Sequence, residues 1–410
     1  MLKIVQLLPH LLVDFRSQLT RNPTPSIAEG DPESARKFYG TRLNEALGVG
    51  GKQLGESADV SIFNDSSAVN HPKEGDWNWR LPADWTAITT IDMHTGGEPL
   101  RVITAGLPKI EGTTVLEKRR YFREHYDFLR TGLMFEPRGH ADMYGAVISP
   151  SQDADFDVFF LHNEGYSTMC GHAIIALTKL AIESNRVPGP GVSFNVPAGR
   201  IEANATVESG QVVRARFRNV PSFLYQRDQT LQVAGVGEVK FDIAYGGAFY
   251  AVVDALSLGL RLDASDYARL IQTGRDIKNA IIKDRSIEHP FEPDLSFLYG
   301  TIFTGRAQET RHHSRNVCVF ADGEVDRSAT GSGVSARAAL HYAKGELGLN
   351  EKMMIESIVG STMTVHALSE TVFGPYRAII PEISGTAHFT GRNEFWFDPD
   401  DPLAAGFIFR

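Results

Sequence analysis

The 410-residue sequence predicts a mixed α/β protein whose two related halves face each other. Three observations predict this fold class. The chain is longer than the size at which a single hydrophobic core stops growing. Its apolar residues follow the two-residue period of strands in some segments and the helical period in others. Finally, two similar segments, each a short polar turn that leads into an alanine-rich helix, start at Cys170 and Thr330.

Each predicted element follows from a local pattern. Strands are expected over residues 86–93 and 99–105, joined by the turn Thr95-Gly96-Gly97, since glycine tolerates the positive φ of tight turns. A charged, amphipathic segment predicts one helix over residues 114–130. Further strands are expected over residues 143–148 and 157–162.

The internal repeat concerns two predicted helix starts. Cys170-Gly171-His172-Ala173 and Thr330-Gly331-Ser332-Gly333 are short polar turns, and each leads into an apolar stretch. Later positions also correspond, with Ala176 matching Ala336 and Leu180 matching Leu340. A repeat of this length is too long for a solenoid and indicates two related domains that face each other. Chance similarity of two alanine-rich helices is the alternative interpretation.

Composition and charge exclude several classes of protein. Hydrophobic residues make up 42% and charged residues 22% of the chain, as in ordinary folded domains. The net charge of −9 disfavours nucleic acid as a partner, because nucleic-acid-binding surfaces are basic. No stretch approaches the roughly 18 apolar residues of a membrane span. We therefore expect neither a nucleic-acid partner nor a membrane partner.

The cysteine count and the first residues bear on the compartment. Only Cys170 and Cys318 occur, so at most one disulfide is possible and a reducing compartment is expected. Residues 1–13 are apolar but contain Pro9 and lack a small-residue cleavage site, which argues against a secretory signal. We expect a cytoplasmic protein, with a mitochondrial address as the alternative. Residues 1–84, with their many Gly, Ser, Asp, Asn and Pro, are expected to form a disordered or poorly structured extension.

The two helix starts carry the chemistry that the sequence suggests. A helix N-terminus presents unpaired backbone N–H groups and the positive end of the helix dipole, so it binds a carboxylate without a basic side chain. Two such ends pointing at each other would hold one small carboxylic acid between Cys170 and Thr330. Gly171 and Gly331 would let it approach the backbone closely. The same position is expected to lower the pKa of the Cys170 thiol and to make Cys170 a base.

Several nearby residues have two interpretations. His172 lies two residues after Cys170 and Asp326 four before Thr330, so each helix start carries a polar side chain able to bond a substrate amine. His172 is equally consistent with a capping or packing role, and Asp326 with a turn. Cys318 lies in an apolar run and is expected to be buried in a strand. No Cys or His pair has zinc spacing and no G-x-G-x-x-G follows a strand, so neither a metal nor a dinucleotide cofactor is expected.

Four blocks of sequence form an ordered pattern. They are Asp92-Met93-His94-Thr95-Gly96-Gly97-Glu98-Pro99, Arg138-Gly139-His140-Ala141-Asp142-Met143-Tyr144-Gly145, Met169-Cys170-Gly171-His172 and Val325-Asp326-Arg327-Ser328-Ala329-Thr330-Gly331-Ser332-Gly333. In this order they resemble the signature of the proline racemase superfamily, over residues 85–410. The resemblance implies the diaminopimelate epimerase-like α/β fold, two pseudo-symmetric halves that each wrap a barrel-like sheet around a central helix. It places residues 85–198 plus 373–410 in one catalytic half and residues 199–372 in the other.

The resemblance also implies a reaction. Racemases and epimerases of the superfamily use two cysteines on opposite faces of the substrate α-carbon, one to remove the proton and one to replace it. Here Thr330 occupies the second position, and the pKa of its hydroxyl is too high for that exchange. In this it resembles the trans-3-hydroxy-L-proline dehydratases of the superfamily. The implied reaction is the dehydration of that small amino acid to Δ1-pyrroline-2-carboxylate, without organic cofactor or metal.

Roles for the site residues follow from the same motifs. The substrate carboxylate would be held by backbone N–H groups from both helices, those of Gly171, His172, Gly331 and Ser332. Asp326 and the His172 side chain would contact the ring nitrogen. Cys170 thiolate would remove the α-proton, and Thr330 would bond the departing 3-hydroxyl. A homodimer is expected, as is common among soluble enzymes.

Three alternatives stay open. The first is a proline racemase or hydroxyproline epimerase, which Thr330 disfavours. The second is a Cys-His hydrolase in which Cys170 attacks a carbonyl. It is disfavoured because His172 lies so close along the helix start that we do not expect it to act as the base for Cys170. The third is a binding protein that keeps the fold without activity.

Overall fold

The computed structural model describes residues 79–409, and the part from Leu81 onward forms one compact unit. Most of the expected extension, residues 1–78, lies outside the described residues. In the part of the chain that the structure describes, no helix has the length and hydropathy that a membrane crossing requires.

The described residues contain five α-helices and eighteen β-strands, besides short 3-10 helices and loops. The helices are α1 (Val115–His125), α2 (Asp127–Met134), α3 (Gly171–Glu183), α4 (Tyr267–Asp284) and α5 (Gly331–Lys344). The strands are β1 (Thr86–Thr95), β2 (Glu98–Ala105), β3 (Gly145–Pro150), β4 (Phe156–Leu161), β5 (Tyr166–Ser167), β6 (Gly191–Val196), β7 (Gly199–Glu208), β8 (Gln211–Arg218), β9 (Ser222–Val233), β10 (Gly237–Tyr245), β11 (Phe249–Asp254), β12 (Leu298–Gly305), β13 (Ser314–Phe320), β14 (Glu324–Val325), β15 (Lys352–Glu356), β16 (Thr362–Phe373), β17 (Tyr376–Gly385) and β18 (Ala387–Phe397).

A curved sheet encloses α3. Its strands pair in the order β18, β1, β2, β3, β4, β6, β7 and β8, and the end of β17 adds to β8. Helix α3 packs against β1, β2, β6, β7, β8, β17 and β18. Its residues 173–177 are all apolar and fully buried. A helix that is apolar on every side needs such an enclosure.

A second sheet closes into a ring around α5. Eight of the described strands pair in the circular order β9, β10, β11, β12, β13, β15, β16, β17 and back to β9. Helix α5 packs against β9, β10, β11, β16 and β17. Each half has two parallel pairs at corresponding places: β2–β3 and β4–β6 in the first, β11–β12 and β13–β15 in the second. This matching confirms the predicted fold class of two pseudo-symmetric halves. The predicted division at residues 198/199 and 372/373 stays a prediction.

The single helix predicted over residues 114–130 is wrong, because the structure has two helices there. Helix α1 begins as its sequence suggests: Thr114 caps it and exchanges hydrogen bonds with Glu117. The helix is interrupted at Tyr126, whose φ of −133° and ψ of 20° are not helical. Asp127 then opens α2 and pairs with Arg130 at 2.7 Å. The two short helices turn their apolar residues toward one shared cluster that also contains β-strand residues.

The two central helices meet at their N-termini. A methyl group added at Gly171 would lie 2.5 Å from the Cα atom of Gly331, and one added at Gly331 would lie 2.6 Å from the Cα atom of Gly171. Real side chains do not tolerate such distances to backbone atoms. Glycine at both positions is therefore what lets the two helix ends touch.

Replacing one of these glycines should loosen the contact. We expect Gly331→Ala to lower the free energy of unfolding by about 1–3 kcal/mol, since an added methyl in a packed site forces the backbone to move. Urea denaturation measures the loss. Gly189→Ala is the matched control, because the added methyl meets no atom within 4 Å. Equal stability of the two variants would contradict this account of the contact.

Candidate active site

Cys170 and Thr330 stand at the two helix starts. Cys170 caps α3 with an extended backbone, and Thr330 occupies the same place before α5. The first backbone bonds within the helices are donated by Ile174 to the Cys170 carbonyl and by Val334 to the Thr330 carbonyl. The preceding N–H groups have no acceptor within their helix. The structure thus brings together the predicted carboxylate-binding groups, which belong to Gly171, His172, Gly331 and Ser332.

Thr330 has an unusual backbone for its type. Its φ of +66° is in a region that β-branched residues rarely occupy, at a cost of about 1–3 kcal/mol. Its N–H donates to Ser328 Oγ at 3.1 Å. Its Oγ1 is buried and makes no hydrogen bond of ordinary geometry with a described residue, although it lies close enough to the Asp326 carboxyl and the Cys318 thiol to lower the pKa of both. A buried residue with such a strained backbone is typical of a functional position.

Cys170 and His172 form a buried pair. The distance between Cys170 Sγ and His172 Nδ1 is 3.1 Å, and both side chains are buried. Burial lowers the pKa of His172 to about 3, against a hydrogen bond to the Pro99 carbonyl that raises it, so the imidazole is neutral. A neutral imidazole has one N–H, which faces the Pro99 carbonyl, and one lone pair, which can accept a hydrogen bond from the Cys170 thiol. The structure thus brings His172 into contact with Cys170, but a ring with so low a pKa is a weak base, so the expectation that His172 does not act as the base for Cys170 stays a prediction.

The predicted low pKa of the Cys170 thiol is also wrong. Burial raises this pKa well above its usual range, while the Ala173 N–H and the Tyr144 hydroxyl lower it. The nearby carboxyl groups of Asp326 and Glu98 raise it further. Desolvation thus outweighs the helix dipole. The ligand-free protein holds a protonated thiol beside a neutral imidazole.

Asp326 lies on the α5 side of the site. Its side chain is buried, and burial raises its pKa to about 6 against the hydrogen bonds that lower it. One of these is donated by the N–H of Ser328 to Asp326 Oδ1 at 2.7 Å. Its own N–H donates to the carbonyl of Cys318 at 3.0 Å. Asp326 is therefore held rigidly at the start of the segment that leads to α5.

Comparison with known proteins identifies the family. A family model described as proline racemase matches residues 90–408. The chain belongs to the proline racemase family. A trans-3-hydroxy-L-proline dehydratase of Colwellia psychrerythraea is 51% identical over 332 residues, 80% of this chain and 94% of that protein. The human trans-3-hydroxy-L-proline dehydratase is 47% identical over 335 residues, 79% of this chain and 95% of that protein.

A solved structure confirms the fold. The crystal structure of a hydroxyproline epimerase from Agrobacterium vitis, with bound trans-4-hydroxy-L-proline, matches with a TM-score of 0.75 at 30% identity. The match covers 79% of this chain and 96% of that one. The family and fold that the four sequence blocks predicted are therefore confirmed.

Sequence reasoning missed three residues of this proline racemase family site. Glu98 and Tyr144 lie inside the quoted blocks, but their motifs gave them no assigned role. Glu98 is fully buried, and the Tyr144 ring packs edge-on against the His172 ring with 4.8 Å between centroids. Tyr250 shares a 2.7 Å hydrogen bond with Ser332 and lies outside the blocks, so no motif could have found it.

Two further sequence expectations concern cysteine and metal. Cys318 is buried in β13, as its apolar surroundings predicted, and both cysteines are free thiols. Within residues 79–409 no group of three or more His, Cys, Asp or Glu side chains is placed to hold a metal ion.

The buried Asp326 carboxyl should make the free energy of unfolding depend on pH. Because its pKa of about 6 in the folded protein exceeds the ordinary 3.8, the folded state binds the proton more tightly. Ionisation therefore costs wild-type stability as pH rises from about 4 through about 6. We expect Asp326→Asn to gain up to about 3 kcal/mol over wild type across this window. Urea denaturation at pH 4, 5, 6 and 7 measures the difference. The exposed Asp400→Asn is the control, and a pH-independent difference for Asp326→Asn would contradict the assignment.

Proposed function

We propose that this protein dehydrates trans-3-hydroxy-L-proline to Δ1-pyrroline-2-carboxylate. The observation that carries the proposal is Thr330, which stands opposite Cys170 where racemases of the family have a second cysteine. One half of the site can exchange a proton with the α-carbon and the other cannot. Similarity to two proteins named as dehydratases of this substrate supports the same reaction.

The substrate carboxylate binds where the two helices meet. First-turn N–H groups from both helix starts, those of Gly171, His172, Gly331 and Ser332, surround this place. Both helix dipoles present their positive ends to it. Negative charge that develops on the carboxylate as the α-proton leaves is stabilised by the same groups, which are already in place before the reaction.

Cys170 removes the α-proton of the substrate. Cys170 reacts as the thiolate that remains once its thiol proton is lost, and this thiolate takes the α-proton of the substrate, with His172 Nδ1 3.1 Å from Sγ. The Ala173 N–H and the Tyr144 hydroxyl, which lower the pKa of Cys170, stabilise the thiolate during this step. The electron pair of the C–H bond then becomes available on the α-carbon.

Elimination follows on the same face of the ring. In the trans isomer the carboxylate and the hydroxyl lie on opposite faces, so the α-hydrogen and the hydroxyl share the face turned to Cys170. The electron pair forms the C2–C3 double bond, the C3–O bond breaks, and the proton now on sulfur leaves with the hydroxide as water. The enamine then tautomerises to Δ1-pyrroline-2-carboxylate. Thr330, on the other face, cannot return a proton to the α-carbon, so inversion does not occur. In this mechanism the departing hydroxyl takes its proton from Cys170 and does not depend on the predicted hydrogen bond from Thr330.

An epimerase is the second candidate, because a hydroxyproline epimerase shares the fold. Binding of the substrate and the first proton transfer would be the same in both enzymes. The two differ in what happens on the Thr330 face, so variants of that residue separate them.

Two variants test the proposal. Cys170→Ser should lower turnover of trans-3-hydroxy-L-proline by about 10²–10⁴-fold, because a serine hydroxyl is a poor base at neutral pH. Thr330→Cys should gain inversion of L-proline, seen as deuterium at the α-carbon of D-proline formed in heavy water. Glu208→Gln, at an exposed residue on β7, is the control and should keep activity.

Wild-type protein that leaves trans-3-hydroxy-L-proline intact and inverts proline or 4-hydroxyproline would replace this proposal with the epimerase. An acyl-enzyme found by mass spectrometry would instead indicate a Cys-His hydrolase. Absence of all turnover would indicate a binding protein that keeps the fold.

A cytoplasmic location, with a mitochondrial address as the alternative, and a homodimer stay predictions. The free thiols of Cys170 and Cys318 agree with a reducing compartment.

A further inference from the structure

Glu98 is a buried carboxyl group that forms no salt bridge with a described residue, although the charge of Arg327 acts on it. Its side chain is fully buried, and its Oε2 accepts the Arg327 N–H at 2.7 Å. Its Oε1 has no hydrogen-bond partner among the described residues. The Arg327 guanidinium pairs with Asp142 instead, at 2.9 Å. Burying a carboxyl oxygen without a partner is costly unless a ligand supplies one.

The position of Glu98 links the two helix starts. It is the first residue of β2, directly after the turn from β1. On one side of Glu98, the Pro99 carbonyl contacts the His172 ring, and across the turn Thr95 donates to the His172 carbonyl at 2.8 Å. On the other side, the Glu98 carboxyl reaches Arg327, next to Asp326. Glu98 therefore lies at the site and not in a separate core.

Glu98 and Asp326 form a pair of buried acids. After burial itself, the Asp326 carboxyl is the largest cause that raises the pKa of Glu98. Neither carboxyl forms a salt bridge with any residue that the structure describes. Two acids that disfavour each other's charge make a place where a bound cation is strongly stabilised.

We infer that Glu98 and Asp326 together bind the ring ammonium of the substrate, one carboxyl to each N–H. A protonated ring nitrogen of a proline has two N–H groups and one positive charge. The His172 ring, which the sequence offered as a partner of the ring nitrogen, lies with Nδ1 3.1 Å from Cys170 Sγ. Glu98 Oε1 is the acceptor that remains.

This inference rests on the proposed function, and it explains why the site would select a cyclic amino acid. A pair of carboxyls selects an imino acid with a charged ring nitrogen over a flat, neutral analogue. The helix ends bind the carboxylate of either ligand equally. The two ends of the ligand are thus recognised by separate groups, which can be tested one at a time.

Isothermal titration calorimetry with two ligands tests the carboxylate-binding and ammonium-binding groups separately. L-Proline carries the ring ammonium, whereas pyrrole-2-carboxylate has one N–H and no positive charge. We expect Glu98→Gln to weaken L-proline binding about tenfold or more, the size of a lost hydrogen bond to a charged group, and to change pyrrole-2-carboxylate binding less than about threefold. Glu208→Gln, at an exposed carboxyl on β7, is the control.

Each other outcome overturns the inference. Equal weakening of both ligands would assign Glu98 a structural role, and unchanged L-proline binding would show that Asp326 suffices. If Glu98→Gln does not fold, Glu98→Asp is measured, and it must also weaken L-proline selectively. Wild type that binds neither ligand would refute the inference outright. Because neither titration involves dehydration, a failed dehydration assay with intact selectivity would refute the proposed function alone.

Discussion

The contact between Gly171 and Gly331 is the constraint on which the site depends. It brings the positive ends of two helix dipoles, and two sets of unpaired N–H groups, to one place. Such ends repel each other, so the arrangement persists only because each helix is held inside its own curved sheet. An anion between the helices relieves the repulsion. The backbone alone therefore provides the groups that the proposed carboxylate site requires.

Burial determines the charge state of every group around this place. It raises the pKa of Cys170, Glu98 and Asp326 and lowers that of His172, so each group moves toward its neutral form. The ligand-free site has little charge of its own apart from the dipoles. In the binding mode inferred above, an amino acid zwitterion supplies both charges: its carboxylate binds at the helix ends, and its ammonium binds at the two acids. Charge that the ligand supplies is then available to stabilise the Cys170 thiolate as it forms.

Local patterns in the sequence predicted what local interactions determine. The turn before Glu98 and the two helix starts follow from glycine and from short polar segments, and the structure has them where they were expected. The sequence did not predict the helix break at Tyr126, because the charged pattern continues across this residue. The break results from the tertiary packing of α1 and α2. The pKa of Cys170 was misjudged for a similar reason. A helix dipole can be predicted from sequence, whereas the depth of burial depends on strands far away in the chain.

The two halves share a backbone arrangement but differ in the side chains at the site. Corresponding positions hold Cys170 and Thr330, then His172 and Ser332. In the first half the pair is a thiol with an imidazole nitrogen at 3.1 Å, and in the second it is a strained hydroxyl next to a serine that is hydrogen-bonded to Tyr250. In the proposed reaction both halves bind the carboxylate, while one half alone moves protons. A carbanion formed between them would have no proton donor on its far face, so loss of a leaving group on the near face would be favoured.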